Sequence, residues 1–225
     1  MKVILVTTAL FAGLLSTPAW SQVEANVALT SDYRFRGVSL NEEDLAIQGG
    51  LDWASEGGAY FGTWASNIAP IGDAEVELDL YGGISRDFDA FSLDVGVIAY
   101  LYPGEPDTAY GEIYASLGTS TGIFVSSVTV AYAPEQDNIG GGDNLYLRYD
   151  AETPIGESGL TLHGGLGYET GAFGDLDGDG DDKIDWIVGI GGTLASIDWD
   201  ISYIDTSEDG TLSDASAVFT VGRLF

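Results

Sequence analysis

From Asn26 onward, apolar and polar residues alternate with a period of two, not the 3.6 of a helix. Ala74, Val76, Leu78, Leu80 and Ile84 share one parity, and Glu75, Glu77, Asp79 and Tyr81 fill the other. Ile197, Trp199, Ile201 and Tyr203 interleave in the same way with Asp198, Asp200 and Ser202. Leu145, Leu147 and Tyr149 interleave with Tyr146, Arg148 and Asp150, and Leu160 and Leu162 with Thr161 and His163. An extended chain sends successive side chains to opposite faces, so each run predicts a strand with one apolar and one polar face. Twelve such segments are expected, at about 26–38, 45–54, 59–69, 74–85, 91–102, 109–118, 122–133, 145–154, 160–169, 183–194, 197–205 and 213–225. Their lengths suit strands crossing a membrane obliquely, which takes roughly 9–11 residues. In 59–69 the phase is ambiguous, because Phe61, Trp64 and Ile68 do not share parity.

The connections add a second pattern. After even-numbered segments they are tight, as at Ser55-Glu56-Gly57-Gly58, Thr119-Ser120-Thr121 and Ala195-Ser196. After odd-numbered segments they tend to be longer and more polar, notably 134–144, 170–182 and 206–212. Outer-membrane barrels have this asymmetry, with short periplasmic turns and longer outside loops. A soluble secreted β-sandwich would also use short alternating strands. Twelve strands in so short a chain, with turn lengths that alternate, favour the barrel. The final segment ends on Phe225 with Ala215, Ala217, Phe219 and Val221 at matching parity, as in the terminal strand of an outer-membrane protein, and Arg223 interrupts that face. Trp53, Tyr60, Tyr102, Tyr168, Trp186 and Trp199 lie near segment ends and suit aromatic girdles at the membrane interfaces.

The first 21 residues differ from the rest. Lys2 precedes a short apolar run from Val3 to Leu15, and Ala19-Trp20-Ser21 offers small residues where a signal peptidase reads. The run is too short for a membrane helix. Residues 1–21 are therefore expected to be a secretory signal and 22–225 a single barrel.

Composition narrows the function classes. There are 36 Asp and Glu against 7 Lys and Arg, a formal net charge of −29, which repels phosphate backbones and argues against nucleic-acid binding. Cysteine is absent, so thiol catalysis and disulfide scaffolds are excluded. Glycine contributes 32 of 225 residues, about twice the usual share of roughly 7%, which disfavours helices and suits twisted strands and turns.

Several motifs resemble the TorF-like porins, a family of small Gram-negative outer-membrane proteins. The opening stretch Leu29-Thr30-Ser31-Asp32-Tyr33-Arg34-Phe35-Arg36-Gly37-Val38-Ser39 carries most of the likeness. Gly62-Thr63-Trp64-Ala65-Ser66-Asn67, Glu77-Leu78-Asp79-Leu80-Tyr81-Gly82-Gly83, Tyr100-Leu101-Tyr102-Pro103-Gly104 and Glu112-Ile113-Tyr114 follow in order. The resemblance spans residues 26 to 118 and is one of architecture thereafter. It implies a porin-like barrel and supplies neither a substrate nor binding residues.

If the apolar parity faces lipid, the lumen receives Asp32, Arg34, Arg36, Asp52, Glu75, Glu77, Asp79, Asp94, Glu112, Arg148, Asp150, Glu152, His163, Asp185, Asp198 and Asp200. Acids far outnumber bases, and a lumen of one sign concentrates counter-ions. Two outcomes follow. An open lumen passes small hydrophilic solutes, cations and neutral molecules before anions. A lumen in which Arg34, Arg36 and Arg148 pair with neighbouring carboxylates is filled, and the barrel is then a non-conducting structural or surface-interaction protein. The expected location is the outer membrane, with its lipid as the surrounding partner and no required cofactor.

Asp175, Asp177, Asp179 and Asp181, spaced by Gly178 and Gly180, resemble the first half of a calcium loop. Trp186 stands where the bidentate Glu would be, so the choice is between a weak calcium site and a solvated acidic loop. An enzymatic reading finds little support. His163 is the sole histidine and no Ser lies within two residues of it, so no nucleophile–base pair is evident.

Overall fold

A computed structural model describes residues 22–176, 178, 180 and 182–225, so the expected export signal at 1–21 lies outside the described residues. The chain forms β1 (Gln22–Thr30), β2 (Arg34–Phe35), β3 (Val38–Ser39), β4 (Ala46–Ala54), β5 (Ala59–Ile71), β6 (Ala74–Asp87) and β7 (Ser92–Leu101). It continues with β8 (Tyr110–Thr121), β9 (Phe124–Ala133), β10 (Asn144–Pro154), β11 (Leu160–Gly171), β12 (Lys183–Leu194), β13 (Ile197–Thr206) and β14 (Ser216–Leu224). Strands β1 and β4 to β14 make one closed barrel of antiparallel neighbours, and β2 and β3 form a separate small hairpin.

Closure occurs at β1. It pairs with β4 from Gln22↔Ala54 to Thr30↔Ala46 and with β14 from Asn26↔Leu224 to Thr30↔Thr220. The seam is extended by the Phe225 N–H, which donates to the Ala25 carbonyl at 2.8 Å. With no free edge, the ladder satisfies the backbone of every strand, as a wall in hydrocarbon must be.

The side chains are distributed inside-out relative to a soluble domain. Val27, Ile47, Leu51, Val97, Ile113, Leu147, Leu166, Val188 and Ile201 project outward from successive strands and are exposed. Thr30, Glu77, Asp79, Glu112, Thr129, Glu169, Asp200 and Ser202 project inward and are buried. A soluble sandwich buries its apolar face, so this arrangement removes the sandwich alternative and fits a barrel surrounded by lipid. Arg223 lies on the outer face near the barrel end, its guanidinium 5.1 Å from the Phe225 ring.

Three expectations need correction. The first segment, 26–38, is not one strand: β1 ends at Thr30, and 31–45 turns into the barrel before β4 begins. The cause is the Arg36-Gly37 turn, where positive φ values of 49° and 88° close the β2–β3 hairpin. Positive φ at both central residues is the two-residue turn that matches strand twist. Second, Tyr60 and Tyr102 are not girdle residues, because their parity sends them inward, where they are buried. Third, the ambiguous phase of β5 resolves once a lumen ring is allowed: Trp64 and Ile68 point inward with Tyr60, and Phe61 points to lipid. One outer connection also departs from the long-loop rule, since Ile71↔Ala74 closes a tight turn beside a β-bulge.

A charge placed on the outer face tests this assignment. Val97 lies in the middle of β7 and is 56% exposed. Val97→Arg should destabilise the barrel in lipid vesicles by about 2–4 kcal/mol, the cost of arginine near a bilayer midplane. Equilibrium denaturant unfolding measures it, and a change near zero would mean that this face does not meet hydrocarbon.

Candidate functional site

The lumen is divided between two kinds of wall. Strands β5 to β8 contribute Tyr60, Trp64, Tyr81, Tyr100, Tyr110 and Tyr114, while β10 to β13 contribute Tyr146, Arg148, Asp150, His163, Glu169, Lys183, Asp185 and Asp200. Residues 31–45 fold between these walls at the end that carries the long loops.

Within this segment, polar side chains replace the ladder bonds that a strand would have made. Asp32 accepts from Arg34 Nε at 2.6 Å and from Ser39 Oγ at 2.7 Å. The Arg34 guanidinium also donates to the Gly37 carbonyl at 3.0 Å, to Glu43 at 2.8 Å and to the Asp214 carbonyl at 2.7 Å. The last of these ties the segment to the loop before β14. Asn41 accepts the Tyr33 N–H through Oδ1 at 2.9 Å, and the Ala69 N–H reaches the Leu40 carbonyl at 2.8 Å.

The tip of the hairpin bridges the barrel. Arg36 Nη2 donates to both oxygens of Glu112 on β8, at 2.8 and 2.6 Å, and Nη1 donates to Glu169 on β11. Its guanidinium lies over the Tyr146 ring at 4.3 Å and the Phe35 ring at 4.6 Å. Lys183 completes the neutralisation of Glu169 at 2.5 Å, and Asn144 Nδ2 donates to the same carboxylate at 2.8 Å. Charge-assisted bonds of this kind are among the stronger polar contacts, and the three side chains are buried. Gly37 fits the tip because a Cβ there would sit 2.7 Å from the Thr206 Cβ and 3.0 Å from the Asp185 Cβ. On the aromatic side, the Tyr33 hydroxyl donates to Glu77 at 2.6 Å and its ring meets Trp64 edge-on at 5.2 Å. Phe35 meets Tyr100 edge-on at 5.6 Å. Tyr33 is only 1% exposed between the infolded segment and the wall.

Deeper in the barrel the polar groups form smaller sets. Tyr81 donates to Asp52, and Tyr60 donates to Asp94 at 2.6 Å and shares a hydrogen bond with the Tyr114 hydroxyl. Arg148 pairs with Asp150 at 2.8 Å and Asp185 at 3.1 Å. His163 Nε2 lies 2.6 Å from Asp200 Oδ2, crossing above Gly189, where a Cβ would collide with the imidazole. Ser202 donates to the other oxygen of Asp200 and not to the ring, so the trio does not form a hydroxyl–imidazole–carboxylate relay.

The structure places the residues expected to line the lumen in two settings. Asp32, Arg34 and Arg36 belong to the infolded segment and not to the wall. Glu77, Asp79, Glu112, Arg148, Asp150, Glu152, His163, Asp185, Asp198 and Asp200 come from the wall, whereas Glu75 is exposed at the rim. Glu169 and Lys183 belong to the site although sequence reasoning passed over them. Glu169 shares the parity of His163, and that signal was available. Asp175 of the acidic loop is exposed, and Asp177, Asp179 and Asp181 lie outside the described residues. Among the described residues, no three His, Cys, Asp or Glu side chains group as a metal site.

The double pairing of Arg36 leads to a direct test. Arg36→Gln leaves buried Glu112 without a cation and Glu169 with Lys183 alone, and should weaken hairpin seating by about 3–5 kcal/mol. Hydrogen exchange should accelerate across 31–45 while the amides of β5 to β13 keep their protection. A hairpin as protected as in the parent chain would show that Arg36 is not the latch.

Solved outer-membrane barrels share this architecture. The NanC porin superposes with a TM-score of 0.57 at 10% identity, over 90% of this chain and 98% of that one. The KdgM porin gives 0.57 at 9% identity, over 90% and 97%. The COG4313 outer membrane channel from Pseudomonas putida F1 gives 0.56 at 12% identity, over 96% and 100%. At these identities the likeness is one of fold. No curated protein matches the chain. Residues 16–223 match Gcw_chp, described as a bacterial protein of unknown function, and the chain belongs to that family.

Proposed function

We propose that the protein is an outer-membrane channel for small hydrophilic solutes, with cations and neutral molecules favoured over anions and the infolded hairpin as its closure. The observation that carries this reading is a charged, polar lumen enclosed by a continuous apolar exterior. Such a lumen is of no use to packing in lipid and is what a water-filled passage requires. The shared fold with porins and the motif resemblance to the TorF-like porins point the same way. Preference for cations follows from the surplus of acids. In the half away from the hairpin, Asp52, Asp94 and Asp198 keep partial solvent access and belong to no ion pair among the described residues. Calcium at the loop containing Asp175, Asp177, Asp179 and Asp181 belongs to this reading only as a weak surface association.

A second reading has its own support. The hairpin is held by buried ion pairs, and a barrel so filled could serve as a non-conducting structural element. Release of the hairpin separates the two: a channel opens, and a structural barrel only loosens.

Conductance in planar bilayers under a potassium chloride gradient decides between them. The parent chain should give small or infrequent currents with a cation-selective reversal potential, and Arg36→Gln should raise conductance. Replacing Asp52, Asp94 and Asp198 with Asn should reduce the cation preference. Anion selectivity in the parent chain would overturn the charge argument, and silence in both the parent chain and Arg36→Gln would favour the structural barrel.

A further inference from the structure

Among the described residues, two deeply buried carboxylates on one strand belong to no ion pair of the lumen. Asp32 is matched by Arg34, Glu112 by Arg36, Glu169 by Arg36 and Lys183, and Asp150 and Asp185 by Arg148. Glu77 and Asp79, two residues apart on the inner face of β6, belong to none of the ion pairs among the described residues. Glu77 accepts hydrogen bonds from the Tyr33 and Tyr102 hydroxyls at 2.6 and 3.0 Å. Asp79 is 0% exposed, and neither of its oxygens has a hydrogen-bond partner. Its cross-strand neighbours are Trp64 on one side and Tyr100 on the other, and neither supplies a charge. A buried carboxylate left uncompensated costs several kcal/mol, and a second one on the same face adds repulsion.

We infer that a hard divalent cation of the calcium type binds between Asp79 and Glu77, beneath the hairpin. One divalent ion balances both charges. The donors within reach are oxygens only, namely two carboxylates with the Tyr33 and Tyr102 hydroxyls beside them, and an oxygen-only set suits calcium or magnesium over softer metals. Calcium tolerates irregular geometry and retained water better than magnesium does, so it fits a site with only two carboxylates. Two carboxylates place the affinity in the weak range, about 10⁻⁴–10⁻³ M. Because Tyr33 comes from the hairpin and Glu77 from the wall, the bound ion favours the closed arrangement, and seating of the hairpin completes the site. None of this requires the barrel to conduct.

Equilibrium dialysis of the folded chain against calcium, together with thermal unfolding in chelator, tests the site. The parent chain should hold one calcium more than Asp79→Asn. In chelator, Asp79→Asn should unfold at a higher temperature than the parent, because it removes an uncompensated charge without changing shape. Glu77→Gln should lose the same ion, and Asp175→Asn, in the surface loop, should retain it. Equal calcium binding by the parent and Asp79→Asn would overturn the site. So would an Asp79→Asn chain no more stable than the parent in chelator, since Asp79 would then be neutral on its own account.

Discussion

Closure is the constraint on which the rest of the molecule depends. A strand wall in hydrocarbon cannot leave N–H and C=O groups bare, so the twelve strands must join end to end through β1. Once they do, alternation acquires a fixed meaning: one parity is given to lipid and the other to the interior. Most of the charges in the middle of the strands are thereby sent into the interior, where many are buried. The ion pairs and tyrosine–carboxylate bonds of the lumen are answers to that confinement, and at Asp79 both carboxylate oxygens are left without a hydrogen-bond partner.

The hairpin makes sense as a piece shaped to two unlike walls. Tyr33 and Phe35 present rings to Trp64 and Tyr100 on the aromatic side. Arg36, at the turn, extends to Glu112 and Glu169 and reaches the charged side. Neither set would hold by itself against the entropy of ordering fifteen residues, at roughly 1–2 kcal/mol of backbone entropy each. The segment also uses Arg34, Asp32, Ser39 and Asn41 to bond its own backbone and side chains, which lowers the cost of entering a confined space. Its seat lies on β6, β8, β11 and β12, so it brings distant strands into one polar network.

Strand number, side-chain phase and the inside-out character could all be read from the sequence because a period of two is a local property. Leu145, Leu147 and Tyr149 declare their face without reference to any other strand. The hairpin could not be read this way. Asp32, Tyr33, Arg34, Phe35 and Arg36 continue the alternation of β1 without a break, although both faces of that stretch end up enclosed. Gly37 was the local sign of a turn, and nothing local said that the turn points inward. Trp64 left the phase of 59–69 ambiguous for a related reason: an aromatic ring suits either face until a partner such as Tyr33, thirty-one positions away, is known. Pairings such as Arg36 with Glu169 are set by the curvature of the whole ring, and no spacing along the chain encodes them.

The position of the hairpin directly after β1 has a consequence for assembly. Its anchoring residues Glu77, Glu112 and Glu169 are all later in the chain, and the Asp214 carbonyl that holds Arg34 is later still. The infolded segment therefore precedes in the chain all of these residues that receive it. The β1–β14 seam, shorter in register than β1–β4, joins the oldest part of the chain to the newest, and only then is the receptacle whole. Seating of the segment is thus an intramolecular docking, and its effective concentration is set by the fifteen residues tethered between Thr30 and Ala46.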